Sequence, residues 1–196
     1  MIKGSEKRIA DHPIDPLFLD RWSPRAMTGE AIPTEGLMTL FEAARWAPSS
    51  YNNQPWRFLY ATRDSKHWQL FFDLLVESNQ VWAKNAGALL LFLSKKTFTH
   101  NGKPAITHSF DTGAAWENLA LQGSLKGYVV HGMQGFDYER ARTELNVPDD
   151  FQIEAMAAVG FPASPEVLPE KLQAKEAPSD RRKLDETICE GPFCFK

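Results

Sequence analysis

The sequence predicts an α/β or α+β domain with about four strands. Three observations point there. Amphipathic helical stripes alternate with short apolar runs along most of the chain. Residues 86–93 (AGALLLFL) are apolar without alternation, as in a strand covered on both faces. The chain has 196 residues, 43% of them hydrophobic and 24% charged. A chain of that size buries roughly 70% of its unfolded surface and needs no staples to hold a core.

Each element has a local reason. Residues up to about 14 read as a polar lead-in. The first strong helix begins at Pro33 and Thr34 and runs to about Trp46. Its Leu37, Leu40, Phe41 and Ala44 recur at helical spacing, and Pro48 bars continuation. Phe58, Leu59, Tyr60 and Ala61 form a short strand. Ser65 is a candidate cap for a second helix, striped by Trp68, Phe71, Phe72 and Leu75. The buried strand over residues 86–94 follows. Residues 111–126 form a third helix, stopped by Gly127. Its Ala114, Ala115, Ala120 and Gly123 either admit a second backbone at close range or simply pack inside. Residues 128–130 are a short strand, Asp137 caps a fourth helix, and residues 153–159 are the last strand. Residues 161–196 carry Pro162, Pro165, Pro169, Pro178 and Pro192 with little periodicity, which reads as an extended arm.

Composition excludes several functions. Lys and Arg number 22 against 25 Asp and Glu, a net charge of −3, so no field for a nucleic acid is built in. The apolar run at 86–93 falls short of the ~20 residues that span a bilayer. The opening MIKGSEKRIADHP lacks an apolar core, so a cytoplasmic protein is expected. Cys189 and Cys194 form no framework and are expected to be free thiols in a reducing compartment. Phosphate-binding glycine loops, zinc-helix motifs and a nucleophile elbow do not occur, and the histidines at 12, 67, 100, 108 and 131 are dispersed. No metal site is expected.

Two segments carry the chemistry. In Asp20-Arg21-Trp22-Ser23-Pro24-Arg25, alternate residues of an extended stretch project to one side, so Arg21, Ser23 and Arg25 converge on one ligand. Guanidinium forks suit phosphate oxygens and planar heterocycles with adjacent acceptors. Residues 47–58, with Pro48, Ser49, Ser50, Tyr51, Asn52, Asn53 and Gln54, form a polar loop between a helix end and a strand. Short polar side chains in such a rigid loop are suited to hold a polar ligand.

The pair RWSPR and WAPSSYNNQPWRF resembles the flavin-binding signature of the nitroreductase family. More of the chain resembles that family in the same order. Asn79 in SNQVW precedes the strand NAGALLLF, DTGAAWENLALQGSLKGY is similar to the family's long central helix, and Gln134-Gly135 falls where a Glu/Gln-Gly turn meets the flavin. AAVGFPA and SDRRKLDETI resemble the closing strand and basic end. The likeness extends from about residue 18 to 189.

The resemblance implies an α+β fold over residues 1–196, with a central, mostly antiparallel sheet flanked by helices. Residues 1–14 would be the lead-in and residues 161–196 a C-terminal arm that wraps a partner. It also implies a homodimer with two FMN sites at its interface, and a flavin oxidised and reduced by ping-pong transfer. NADH or NADPH would be the donor and a nitroaromatic, quinone or similar acceptor the second substrate. The flavin carries the chemistry, so no catalytic side chain is implied. Arg21 and Ser23, flanking Trp22, would hold the FMN phosphate, with Arg181 or Arg182. Arg25 would lie near the flavin N1 and C2 carbonyl. Pro48, Ser49, Ser50, Asn52 and Gln54 would serve from the partner subunit. Asn79 would bond the pyrimidine end of the ring, and Gln134 and Gly135 would offer backbone N–H groups. Trp82 departs from the family pattern, standing where some members have a Lys near the flavin. Tyr51 and Trp56 either line the flavin's face or pack in the core. The other reading kept open is a dimer of the same fold that binds flavin without NAD(P)H turnover.

Overall fold

The computed structural model describes residues 2–195. Local chemistry sets most of its boundaries. Asp15 accepts from the Leu17 amide at 2.8 Å and Pro16 opens α1 (Pro16–Asp20). α2 (Thr34–Arg45) buries Leu37, Leu40 and Ala44, the stripe expected from their spacing. After β1 (Trp56–Thr62), Ser65 caps nothing: its hydroxyl accepts from the His67 amide in a turn, and α3 (Trp68–Asp73) starts beyond it. α4 (Glu77–Ala83), β2 (Ala88–Lys95) and α5 (His108–Leu125) follow. Gly127, at φ +74°, lets the chain leave α5 for β3 (Val129–Met133). Asp137 accepts from the Arg140 amide at 3.0 Å and caps α6 (Tyr138–Glu144). β4 (Phe151–Gly160) closes the sheet, and the arm beyond it contains only the short α7 (Glu170–Gln173) and 3-10 turns.

The fold is α+β. The four strands run in the order β1-β2-β4-β3, every pair antiparallel. Alternation along β2 explains the unbroken apolar run. Leu89, Leu91 and Leu93 enter a core with Phe71, Trp82 and Ala141 from α3, α4 and α6. Ala88, Leu90 and Phe92 enter a second core with Leu37, Leu40, Ala115 and Leu119 from α2 and α5. Helices on both faces leave no solvated side, so neither register of the strand needs polar residues. The buried small residues Ala115, Ala120 and Gly123 face this second core, where a Cβ on Gly123 would meet Val130 Cγ2 at 2.4 Å.

One irregularity matters for the site. Between β2 and β4, Phe92 pairs with Ala155 but Leu93 pairs with Ile153, leaving Glu154 as the extra residue of a bulge. Bulges of this kind re-aim a side chain.

One expectation is corrected. Cys189 and Cys194 are not free thiols; they form a disulfide, their Cα atoms 6.3 Å apart. Gly191, at φ +92°, and Pro192 reverse the chain between them and bring the sulfurs within reach. Within the polar lead-in Gly4 and Arg8 are buried, and the Trp22 indole donates to the Ile2 carbonyl at 2.8 Å. None of the described helices is long and apolar enough to cross a membrane.

Candidate functional site

Residues 21–25 run extended between α1 and the sheet, and they bring Arg21, Ser23 and Arg25 into the wall of one cavity of about 370 Å³. Arg8, Lys175 and Arg181 also line it, so cations from both ends of the chain meet there. Trp22 contributes its buried ring. At the basic end of the chain Arg181 lines both this cavity and a neighbouring surface cleft, whereas Arg182 lines the cleft, with Asp11, His12 and Lys183, and not the cavity.

The crowding of positive charge has consequences. Burial, then the charges of Arg181 and Arg21, hold the Arg8 pKa below the usual arginine value. Arg21 Nε finds one partial partner, Glu117 Oε1 at 3.4 Å. His131 on β3 lines the same cavity and donates its Nδ1–H to the Pro24 carbonyl at 2.8 Å. Burial, reinforced by the Arg25 charge, pushes its pKa down to about 4. It therefore stands neutral at pH 7 while the guanidiniums around it stay charged.

A second cavity of about 670 Å³ shares Arg21 and Ser23 with the first. Its walls are the apolar side chains of Phe92, Trp116, Met133 and Met156, with Gln134 at the end of β3. A polar edge completes it. The bulge residue Glu154 accepts from the Ser94 hydroxyl and, at 2.7 Å, from Ser109. His108 Nδ1 lies 2.7 Å from the same buried Ser94 Oγ. Thr112 Oγ1 is buried in this wall without a hydrogen-bond partner among the described residues.

Asn79 and Gly135 meet beside this cavity. The Gly135 carbonyl accepts from Asn79 Nδ2 at 3.0 Å and from the Val76 amide at 3.1 Å. A Cβ on Gly135 would lie 2.7 Å from Asn79 Nδ2, so only glycine fits the turn after Gln134. Trp82 stands in the core, its ring 4.5 Å from that of His131.

The loop with Pro48, Ser49, Ser50, Asn52 and Gln54 lines neither cavity of its own chain. It is held rigid all the same. Ser49 Oγ accepts from the Gln54 amide at 3.0 Å, Gln54 Nε2 donates to the Asn52 carbonyl at 3.0 Å, and the Ser50 amide donates to Asp111 at 3.1 Å. Tyr51, Asn52 and Gln54 adopt φ of 51°, 53° and 49°, a strained run of the sort found at ligand sites. Tyr51 is exposed against Phe98, while Trp56 belongs to the core.

Periodicity alone does not point to Arg8 or Glu176. The Glu176 carboxylate accepts from the Arg25 and Ala26 amides at 2.6 and 2.8 Å, fixing the backbone that presents Arg25. Both act over long sequence separations, through backbone groups. Glu154 is equally silent, because a bulge leaves no trace in the pattern.

The residues present fit a phosphorylated planar ligand. Five cations and two hydroxyls suit a phosphate. The adjoining apolar walls and the unpaired Thr112 hydroxyl suit a flat ring with polar substituents.

The chain is similar to proteins already known. Residues 19–81 match the nitroreductase family. An oxidoreductase containing FMN, known from its crystal structure, is 49% identical over 100% of both chains, with a TM-score of 0.94. A protein from Desulfovibrio desulfuricans, crystallised in complex with FMN and described as a nitroreductase, is 25% identical. That match covers 94% of this chain and 100% of the other, at a TM-score of 0.71. A nitroreductase family protein from Clostridium difficile shares the fold at 20% identity and a TM-score of 0.69, over 90% of this chain and 97% of its own. No protein of curated function is significantly similar to the chain.

Proposed function

Because the chain belongs to the nitroreductase family, we propose that it is an FMN-dependent oxidoreductase. It takes hydride from NADH or NADPH and passes the electrons by ping-pong transfer to a nitroaromatic, quinone or similar acceptor. The observation that carries this reading is the pair of cavities joined at Arg21 and Ser23, one cationic and one walled by apolar side chains.

FMN, when bound, supplies the hydride chemistry; the chain supplies binding, orientation and charge. Arg21, Ser23 and Arg181 hold the phosphate. Arg25 places a fixed positive charge beside the ring, which favours negative charge there and raises the reduction potential. Gln134 and Gly135 offer backbone N–H groups to the ring edge. Asn79 holds that turn through the Gly135 carbonyl and keeps Oδ1 for the pyrimidine end. Phe92, Trp116 and Met133 exclude water from the ring.

The protein works as a homodimer. Ile106 and Phe110, before and within α5, are 92% and 81% exposed, apolar surface suited to a partner subunit. The rigid loop with Pro48, Ser49, Ser50, Asn52 and Gln54, lining neither of these two cavities of its own chain, serves the partner's flavin. A cytoplasmic setting, where the nicotinamide pool is, goes with this reading.

The test is the visible absorption spectrum of the purified protein before and after anaerobic NADH or NADPH. Flavin bands that bleach support the proposal. Bands that persist with either donor favour a flavin-holding dimer without NAD(P)H turnover. No flavin as purified, and none taken up from added FMN, overturns it.

A further inference from the structure

Arg8 belongs to neither of the segments that carry the flavin signature, yet its guanidinium bonds three backbone carbonyls beside the cationic cavity. Its side chain is only 8% exposed. Nε donates to the Ser179 carbonyl at 2.7 Å, and Nη1 donates to the carbonyls of Leu19 and Arg21 at 2.9 and 2.8 Å. A guanidinium has five N–H donors, so these contacts use three and leave the two on Nη2. Among the described residues Nη2 has no acceptor, and Arg8 lines the cavity that Arg21, Arg25 and Arg181 also line.

The geometry makes Arg8 a clasp between the two ends of the chain. On the N-terminal side, Gly4 packs so closely that a Cβ would lie 1.7 Å from the Leu19 carbonyl oxygen. On the C-terminal side, Ser179 is two residues from Arg181. The clasp works against charge: Arg181 and Arg21 repel Arg8, while Asp180 attracts Arg8 and Glu117 pairs with Arg21. An anion among the three guanidiniums reverses the sign of that interaction.

We propose that Arg8 is a positioning residue of the phosphate subsite, and that docking of the two terminal segments is coupled to occupancy of that subsite by a phosphate group. This rests on the reading of the cationic cavity as the place of the FMN phosphate. By linkage, whatever phosphate contributes to holding the segments, the segments return as affinity for phosphate. The two ends of the chain therefore register whether the cofactor is in place.

The experiment is amide hydrogen exchange across residues 2–14 and 175–188 of the full chain, titrated from its flavin-free form with FMN, riboflavin and inorganic phosphate. FMN and phosphate are expected to slow exchange at both ends together, at least fivefold, and riboflavin to leave them unchanged. In Arg8→Met, FMN affinity falls tenfold or more, riboflavin affinity stays within twofold, and the two ends exchange alike with or without phosphate. Arg8→Lys, which keeps charge but loses the fork, serves should Arg8→Met not fold, and is expected to lose protection at both ends. Wild-type ends that ignore phosphate, or a variant that loses FMN and riboflavin equally, overturn the coupling while leaving the flavin reading intact. A wild-type chain that binds neither FMN nor riboflavin overturns that reading as well.

Discussion

The Glu176 carboxylate and the Arg25 amide, 151 residues apart in sequence, meet at 2.6 Å. The same oxygen accepts from the Ala26 amide at 2.8 Å, and Glu176 is only 7% exposed. The C-terminal arm thus fixes the backbone from which Arg25 projects. Glu176→Ala leaves two amides without an acceptor and is expected to cost about 2–3 kcal/mol. Glu176→Gln keeps an oxygen there and should cost about half as much. Urea unfolding of the two variants checks the order. Equal stability to wild type in Glu176→Ala would show that water replaces the carboxylate without loss.

Arg21 and Glu117 predict a pair of opposite effects. Arg21→Ala removes a fork from the cationic cavity and should weaken FMN binding roughly tenfold to a hundredfold, the worth of a charged hydrogen bond. Glu117→Gln frees Arg21 from its partner at 3.4 Å and removes a like charge from beside the phosphate. FMN affinity should then rise, by roughly twofold to fivefold, since an ion pair open to solvent on its Glu117 side is worth ~0.2–1 kcal/mol. Flavin fluorescence titrations measure both. Riboflavin, lacking the phosphate, should distinguish none of the three proteins, and added salt should shrink the differences.

These residues also mark where the sequence is legible. Alternation in RWSPR is enough to bring Arg21, Ser23 and Arg25 toward one cavity, because an extended stretch leaves little choice of side. α2, β2 and the Asp137 cap are equally readable, each set by a stripe, a run or a cap within a few residues. α4 was missed because it is short and buries only Trp82 and Ala83, too little to show a period. Ser65 misled because a turn uses its hydroxyl first. Arg8 and Glu176 act on backbone groups 171 and 151 residues away, and no local pattern records such a contact. The disulfide depended on one glycine turn, which composition does not weigh.

Gly135 and Asn79 form a coupled pair. A Cβ at position 135 would sit 2.7 Å from Asn79 Nδ2 and 3.0 Å from Val76 Cγ2. Gly135→Ala is therefore expected to cost about 1–3 kcal/mol through overpacking and to displace the turn that follows Gln134. Asn79→Ala removes the obstructing amide. In the double variant the cost should be less than the sum of the singles, with a coupling of ~0.5–2 kcal/mol. Thermal or urea unfolding of the cycle measures it. Strict additivity would mean that the clash is relieved elsewhere.

The last prediction concerns acid. His131 is packed against Trp82 at 4.5 Å, with Nδ1–H given to the Pro24 carbonyl. Its pKa falls from 6.5 to about 4, chiefly through burial and then through the Arg25 charge, with the Pro24 hydrogen bond opposing both. The unfolded chain takes up a proton as the pH drops through about 6.5, whereas the folded protein resists until about 4. The unfolded state therefore binds more protons in this window. The stability gained from a neutral His131 is fully present above the upper limit and is lost as the pH falls to the lower one. The slope is about 1.4 kcal/mol per pH unit and the total about 3 kcal/mol. His131→Gln can still donate to Pro24 but cannot take up the proton. Urea midpoints of that variant should be flatter than wild type between these limits, and an unchanged slope would assign the acid sensitivity to other groups. Phosphate in the cationic cavity offsets the Arg25 charge, so saturating FMN should flatten the wild-type slope in the same direction.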